Sequence, residues 1–197
     1  MKRCLIGLTG GIGCGKSTVI QLFEELLQFR TYETDAIVHH LLNDDASVVS
    51  AVKQRWGDEL YDEKGTARRD LIAVKVFNNS DELIWLEQLL HPKVRLYWMN
   101  RVNDSLHPRH MVEIPLLFEK KLEKNFDLIV CVSTSLEQQM ERLERRGISN
   151  EQARLRIQKQ LPLSEKEQRS DIVIVNNSNL AFTRLQIQQI EQQLKLR

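Results

Sequence analysis

The stretch LTGGIGCGKST, residues 8–18, satisfies G-x-x-x-x-G-K-[ST] from Gly10 to Ser17. Ahead of it runs the short apolar segment RCLIGL. Behind it KSTVIQLFEELLQF places Val19, Leu22, Phe23, Leu26 and Leu27 at helical spacing. The pattern therefore sits between a predicted strand and a predicted helix, the setting in which it carries information. Glycines let the backbone wrap closely and turn its N–H groups inward as an anion nest, and the helix N-terminus adds its positive end. Gly11, Gly13, Cys14 and Gly15 line such a loop. Lys16 reaches the β- and γ-phosphates, Ser17 offers its hydroxyl to Mg²⁺, and Thr18 lies near the α-phosphate. A nucleoside triphosphate is thus expected, but the motif is silent on where its γ-phosphoryl group goes.

Outward from the loop, strand-like and helix-like segments alternate. RTY is a weak second strand, HMVEIPLLF a third, FDLIVCVST the clearest buried strand and DIVIVNN a fifth. SLEQQMERLERRG, SNEQARLRIQKQLP and LAFTRLQIQQIEQQLKLR read as helices, the glutamines of the last as a solvated face. Alternation of this kind predicts an α/β chain with a five-stranded parallel sheet flanked by helices. Residues 47–106 read as almost wholly helical and form an insertion between the second and third strands. Within it, the segment DELIWLEQLLHPKVRLYWMNRVNDSL carries Pro92.

Composition narrows the choice further. The chain has 197 residues, 42% hydrophobic and 28% charged, with a net charge of +1. It suits one domain, and nothing in its charge favours nucleic acid or an anionic membrane. No apolar run is long enough to span a bilayer. The opening MKRCLIGLTGG resembles a signal peptide only until it enters the phosphate motif, which cleavage would destroy. Cys4, Cys14 and Cys131 form no metal or redox pair, so a cytoplasmic protein is expected, with no obligate protein partner inferred.

The chain lacks the base-reading N-K-x-D of a switch GTPase, and LIVCVS ends in Ser133-Thr134 rather than the acidic pair of a motor ATPase. From Glu141 to Arg169 there are eight basic residues against five acidic ones. This suits a helical lid over residues 141–165 that closes on the triphosphate. Arg142 and Arg146, four apart, are its candidates for meeting the phosphoryl group. A salt-bridged, solvated helix pair is the competing reading. Phosphorylation of a hydroxyl also needs a carboxylate near the acceptor. In YETDAIVHH, Asp35 follows the second strand, at the sheet edge where ligands bind, and equally serves as a helix cap. His91, before Pro92 in an apolar helix, reads by default as a buried, hydrogen-bonded histidine.

These segments together resemble the dephospho-CoA kinase family from Leu5 to about Asn179. GLTGGIGCGKSTV, ETDAIV, LLHPKV, EIPLLFE, RLERRG, RIQKQ and SDIVIVNN all have counterparts there. The resemblance implies ATP-dependent phosphorylation of the ribose 3′-hydroxyl of dephospho-CoA, with Mg²⁺ as cofactor. It implies Asp35 as the catalytic carboxylate that orients or deprotonates the hydroxyl, Arg69, His91 and Leu116 as acceptor contacts, and Asn176 beside the adenine. Two departures lie beside Asp35: Glu33 replaces the family's usual first Asp, and the preceding loop QFRTY lacks the common glycine; Cys14 also stands where serine is usual.

Overall fold

The computed structural model describes residues 3–77 and 79–195. The first two residues of the signal-like opening, and the last two of the chain, lie outside the described residues. Five strands, Cys4–Gly10 (β1), Arg30–Glu33 (β2), Arg109–Glu113 (β3), Leu128–Ser133 (β4) and Ile172–Val175 (β5), form a sheet in the order β2-β3-β1-β4-β5. β1 is central and pairs in parallel with β3 and β4, and β4 pairs in parallel with β5. The parallel α/β fold expected from the alternation is the one that forms.

Covering both faces of a sheet removes the in-out alternation of its strands. β4 is accordingly buried at every position. Two aspartates set its register and that of its neighbours. Asp127 accepts the Leu5 N–H at 2.8 Å and returns its own N–H to the Leu5 carbonyl at 2.9 Å. Asp171 repeats the arrangement on Ile129 at 2.7 and 3.0 Å. Each carboxylate extends a ladder by one rung at a strand's first turn, satisfying backbone groups otherwise unpaired.

Helix Lys16–Leu27 (α1) buries Val19, Ile20, Leu22, Phe23 and Leu27 in the main core, which also takes Ile6, Leu8, Met111 and Val130. The chain continues through helices Thr34–Asp44 (α2), Ala46–Trp56 (α3), Arg69–Phe77 (α4) and Ser80–Asn103 (α5). After β4 come Leu136–Glu144 (α6), Asn150–Gln158 (α7) and Leu163–Gln168 (α8), and after β5 Leu180–Lys195 (α9). α9 adds Ile187 and Ile190 to the core. Not all its glutamines are solvated decoration: Gln186 accepts the Val175 N–H and donates to the Val175 carbonyl, both at 2.9 Å.

Residues 3–32 and 106–195 of the described chain fall in one compact unit and Glu33–Ser105 in a second. The second unit takes in α2, ahead of the residue-47 boundary read from the sequence. Its own interior is built on α5, which turns Leu86, Leu90, Val94, Trp98 and Val102 inward. α5 runs unbroken through Pro92. Asp45 caps α3 through the N–H groups of Ser47 and Val48, and its carboxylate meets Lys93 of α5 at 3.2 Å. Trp56 donates to Glu82 at 2.7 Å, and that carboxylate also binds Arg55.

Three local expectations change. β3 stops at Glu113, because Pro115 has no N–H to continue a ladder, and residues 115–121 turn instead. α8 follows Pro162, where the sequence pattern was read only as a basic segment. His91 is exposed on α5, so it is not the buried histidine expected from its apolar neighbours.

Candidate active site

The C-terminal ends of β1, β3, β4 and β5 bring Gly10, Glu113, Thr134 and Asn176 to one sheet edge. β1 passes into the glycine loop with Gly10 at φ 142°, Gly13 at 78° and Gly15 at 90°. Side chains are strained in that region, and a Cβ on Gly15 would collide with the Asn176 amide. Lys16, the first residue of α1, folds back so that Nζ donates to the Gly10 carbonyl at 3.3 Å and the Gly11 carbonyl at 3.1 Å. Its ammonium lies 3.9 Å from Oε1 of the buried Glu113. Ser17 is exposed in the first helical turn and Thr18 half-buried.

A second layer holds the loop from outside. Arg142 on α6 donates from Nη1 to the carbonyls of Gly13 (3.3 Å) and Cys14 (3.1 Å). Its Nη2 donates to Gln138 Oε1 at 2.9 Å and to the Asn176 carbonyl at 2.8 Å. Asn176 Nδ2 donates to the Cys14 carbonyl at 2.9 Å, while its Oδ1 accepts from the fully buried Thr183 hydroxyl at 3.2 Å. Lys16, Gly15, Cys14, Arg142 and Asn176 are thus brought together. Cys14 is fully buried, and burial pushes its thiol above the ordinary range despite the opposing charge of Lys16. It is a packed thiol, not a reactive thiolate.

Arg146 is not brought in. α6 ends at Glu144, and Arg146 occupies the exposed turn closed by Gly147 at φ 75°. It therefore does not share a helical face with Arg142 as their spacing suggested. Leu116 is half-buried in the turn after β3. Asp35, Arg69 and His91 belong to the second unit, where all three are exposed, Asp35 in the first turn of α2 and Arg69 at the start of α4. The N-cap position of α2 is Glu33, whose side chain makes no capping bond, so Asp35 does not act as the cap.

A family model described as dephospho-CoA kinase matches residues 4–181, and so spans both the glycine loop and the Asn176 end of β5. The chain belongs to the dephospho-CoA kinase family. A dephospho-CoA kinase of Bacillus anthracis is 36% identical over 191 residues, covering 94% of each chain. A solved dephospho-CoA kinase from Campylobacter jejuni superposes with a TM-score of 0.68 at 26% identity, covering 97% of each chain. A solved structure from Thermus thermophilus reaches a TM-score of 0.83 at 28% identity, over 98% of this chain and 97% of that one. As a dephospho-CoA kinase family member, the chain is an enzyme of the kinase class.

Several residues around the glycine loop lie outside the phosphate motif. Glu113 was legible in principle, being an acid at the C-terminal end of a strand beside β1. Thr183 and Gln160, whose Oε1 accepts the Ile12 N–H at 3.0 Å, carry no local signal of their contacts, because these reach residues more than 100 positions away or run through Asn176.

Proposed function

We propose that this chain transfers the γ-phosphoryl group of ATP to the ribose 3′-hydroxyl of dephospho-CoA, releasing coenzyme A and ADP. The observation that carries this reading is the seating of Lys16 on the carbonyls of its own glycine loop, within a chain of this family. An ammonium held there is preorganised for the β- and γ-phosphates, so little rearrangement opposes the transfer.

Asp35 orients or deprotonates the acceptor hydroxyl. Arg142 braces the loop and adds positive charge beside it, and the exposed Arg146 meets the phosphoryl oxygens when residues 141–165 close as a lid. The helical unit supplies the acceptor contacts through Arg69 and His91, and Leu116 contributes from the turn after β3. Asn176 sits by the adenine. Ser17 suits Mg²⁺, because an exposed hydroxyl in the first turn of α1 is a hard oxygen donor that leaves most coordination sites to phosphates and water. When bound, Mg²⁺ neutralises charge on the phosphate oxygens. Among the described residues no helix is long and apolar enough to cross a membrane, and the three cysteines form no disulfide. Both facts support a cytoplasmic setting.

The test follows ADP release from Mg-ATP with dephospho-CoA, with adenosine or with no acceptor. Release above background only with dephospho-CoA is expected; equal release in all three defeats the reading. Asp35→Asn is expected to keep ATP binding and lose at least about 10²-fold in kcat, within the range for removal of a general base. Full turnover in that variant removes Asp35 from its role.

A further inference from the structure

One peptide unit of the phosphate loop is held at both its polar ends. The Gly11 carbonyl accepts from Lys16 Nζ at 3.1 Å, and the N–H of the same unit, on Ile12, donates to Gln160 Oε1 at 3.0 Å. An N–H can only donate, so Gln160 must present its oxygen, and the orientation of its amide is fixed. Gln160 itself comes from the segment between α7 and α8, 148 residues from Ile12 in sequence.

That segment is pinned in turn. Leu161 donates its N–H to Glu119 Oε1 at 3.0 Å, and Lys166 Nζ meets the same oxygen at 2.8 Å. Lys166, wholly buried, also donates to the Pro115 carbonyl at 2.8 Å. Pro115 accepts a further bond from the Thr9 hydroxyl at 3.3 Å, and Thr9 directly precedes the glycine loop. The bonds therefore close a circuit from Thr9 through Pro115, Lys166, Glu119, Leu161 and Gln160 to Ile12.

We propose that Gln160 is a positioning residue for phosphoryl transfer, fixing the Gly11–Ile12 peptide plane and through it the seat of the Lys16 ammonium. A peptide whose N–H is engaged has a more polarised carbonyl, so the bond on the N–H strengthens those the carbonyl accepts from Lys16 and from the Cys14 N–H. Without Gln160 the N–H end of the plane is released and only the Cys14 N–H, which donates to the Gly11 carbonyl at 3.3 Å, still restrains it, so the carbonyl's aim at Lys16 loosens. The inference rests on reading Lys16 as the phosphate-binding lysine.

A double-mutant cycle on the full chain tests it. Gln160→Leu and Gln160→Met remove the acceptor with little change in bulk, and each is made alone and with Lys16→Met. With wild-type Lys16, kcat is expected to fall about tenfold, within the range produced by small displacements of a catalytic group. The KM for dephospho-CoA should stay unchanged, and any fall in the thermal midpoint from the unpaired Ile12 N–H should be the same in both Lys16 backgrounds. In the Lys16→Met background the same substitutions should change kcat by less than about twofold, the non-additivity of groups that act as a unit. Wild-type kcat in both Gln160 variants, a tenfold loss in both backgrounds, or a change confined to the KM for dephospho-CoA each overturns the inference. Lys16→Met with undiminished turnover would instead defeat the lysine assignment itself. Should Gln160→Leu fail to fold, the Gln160→Met arm decides alone.

Discussion

Asn176 occupies a single buried position yet serves three chain segments. Its carbonyl accepts from Arg142 and Thr134, its side-chain nitrogen binds the Cys14 carbonyl, and its side-chain oxygen is claimed by Thr183. Because the Cys14 carbonyl can only accept, the amide must turn its nitrogen toward the loop and leave its oxygen to the Thr183 hydroxyl. Thr183→Val keeps the shape and deletes that donor, leaving a buried oxygen unpaired at a cost of about 1–3 kcal/mol. Urea unfolding should show that loss, and ATP should bind several-fold more weakly because the amide that holds the Cys14 carbonyl has lost its anchor on α9. Unchanged stability and affinity would show that the hydroxyl does not anchor the amide. Nothing local in LAFTRL marks Thr183 for this role; its helical position was legible and its bond was not. Lys16 is the opposite case, since the glycine pattern alone states its surroundings.

The helices divide in the same way by whether their ends are local. α3, α6 and α7 begin at Asp45, Ser135 and Ser149, whose side chains accept first-turn N–H groups. Such caps are properties of neighbouring residues and can be read from sequence. β3 was misjudged because EIPLLF continues its apolar pattern past a proline that ends the pairing. α8 was missed because its one buried side chain is Lys166, which no hydrophobic pattern records. Asp45 permits a quantitative check. Its carboxyl is held down at about 2 from an ordinary 3.8, first by the Ser47 hydroxyl and then by the Val48 N–H and Lys93. A depressed carboxyl stabilises the fold above its unfolded value and loses that contribution as pH falls toward the folded one. Asp45→Ala should therefore cost about 1 kcal/mol at neutral pH. In urea titrations the gap from wild type should narrow between about pH 4 and pH 3. A gap independent of pH would contradict the assignment.

Across the unit that holds the sheet, the fold depends on a charged contact between segments distant in the chain. The Lys166 side chain is wholly enclosed, and the carboxylate of Glu119 lies 2.8 Å away with 16% of its side chain exposed. Burial pushes the Glu119 carboxyl upward, but Lys166 and the Leu161 N–H outweigh it and the net direction is down. Glu119→Leu strands an enclosed ammonium and should destabilise by about 3 kcal/mol, while adding Lys166→Met should recover most of that loss. Chemical unfolding of the two variants checks this. A double variant no more stable than the single would mean that packing around Glu119, rather than the charge pair, holds the two segments together. Gln186 raises a different matter at the far side of the sheet. Its amide already takes the N–H and C=O of Val175 that face away from β4. An extended segment from another molecule would have to evict that side chain before it could add a sixth strand there. The chain thus carries its own guard against edge-to-edge aggregation at β5, supplied by a glutamine that composition alone would count as solvent-facing.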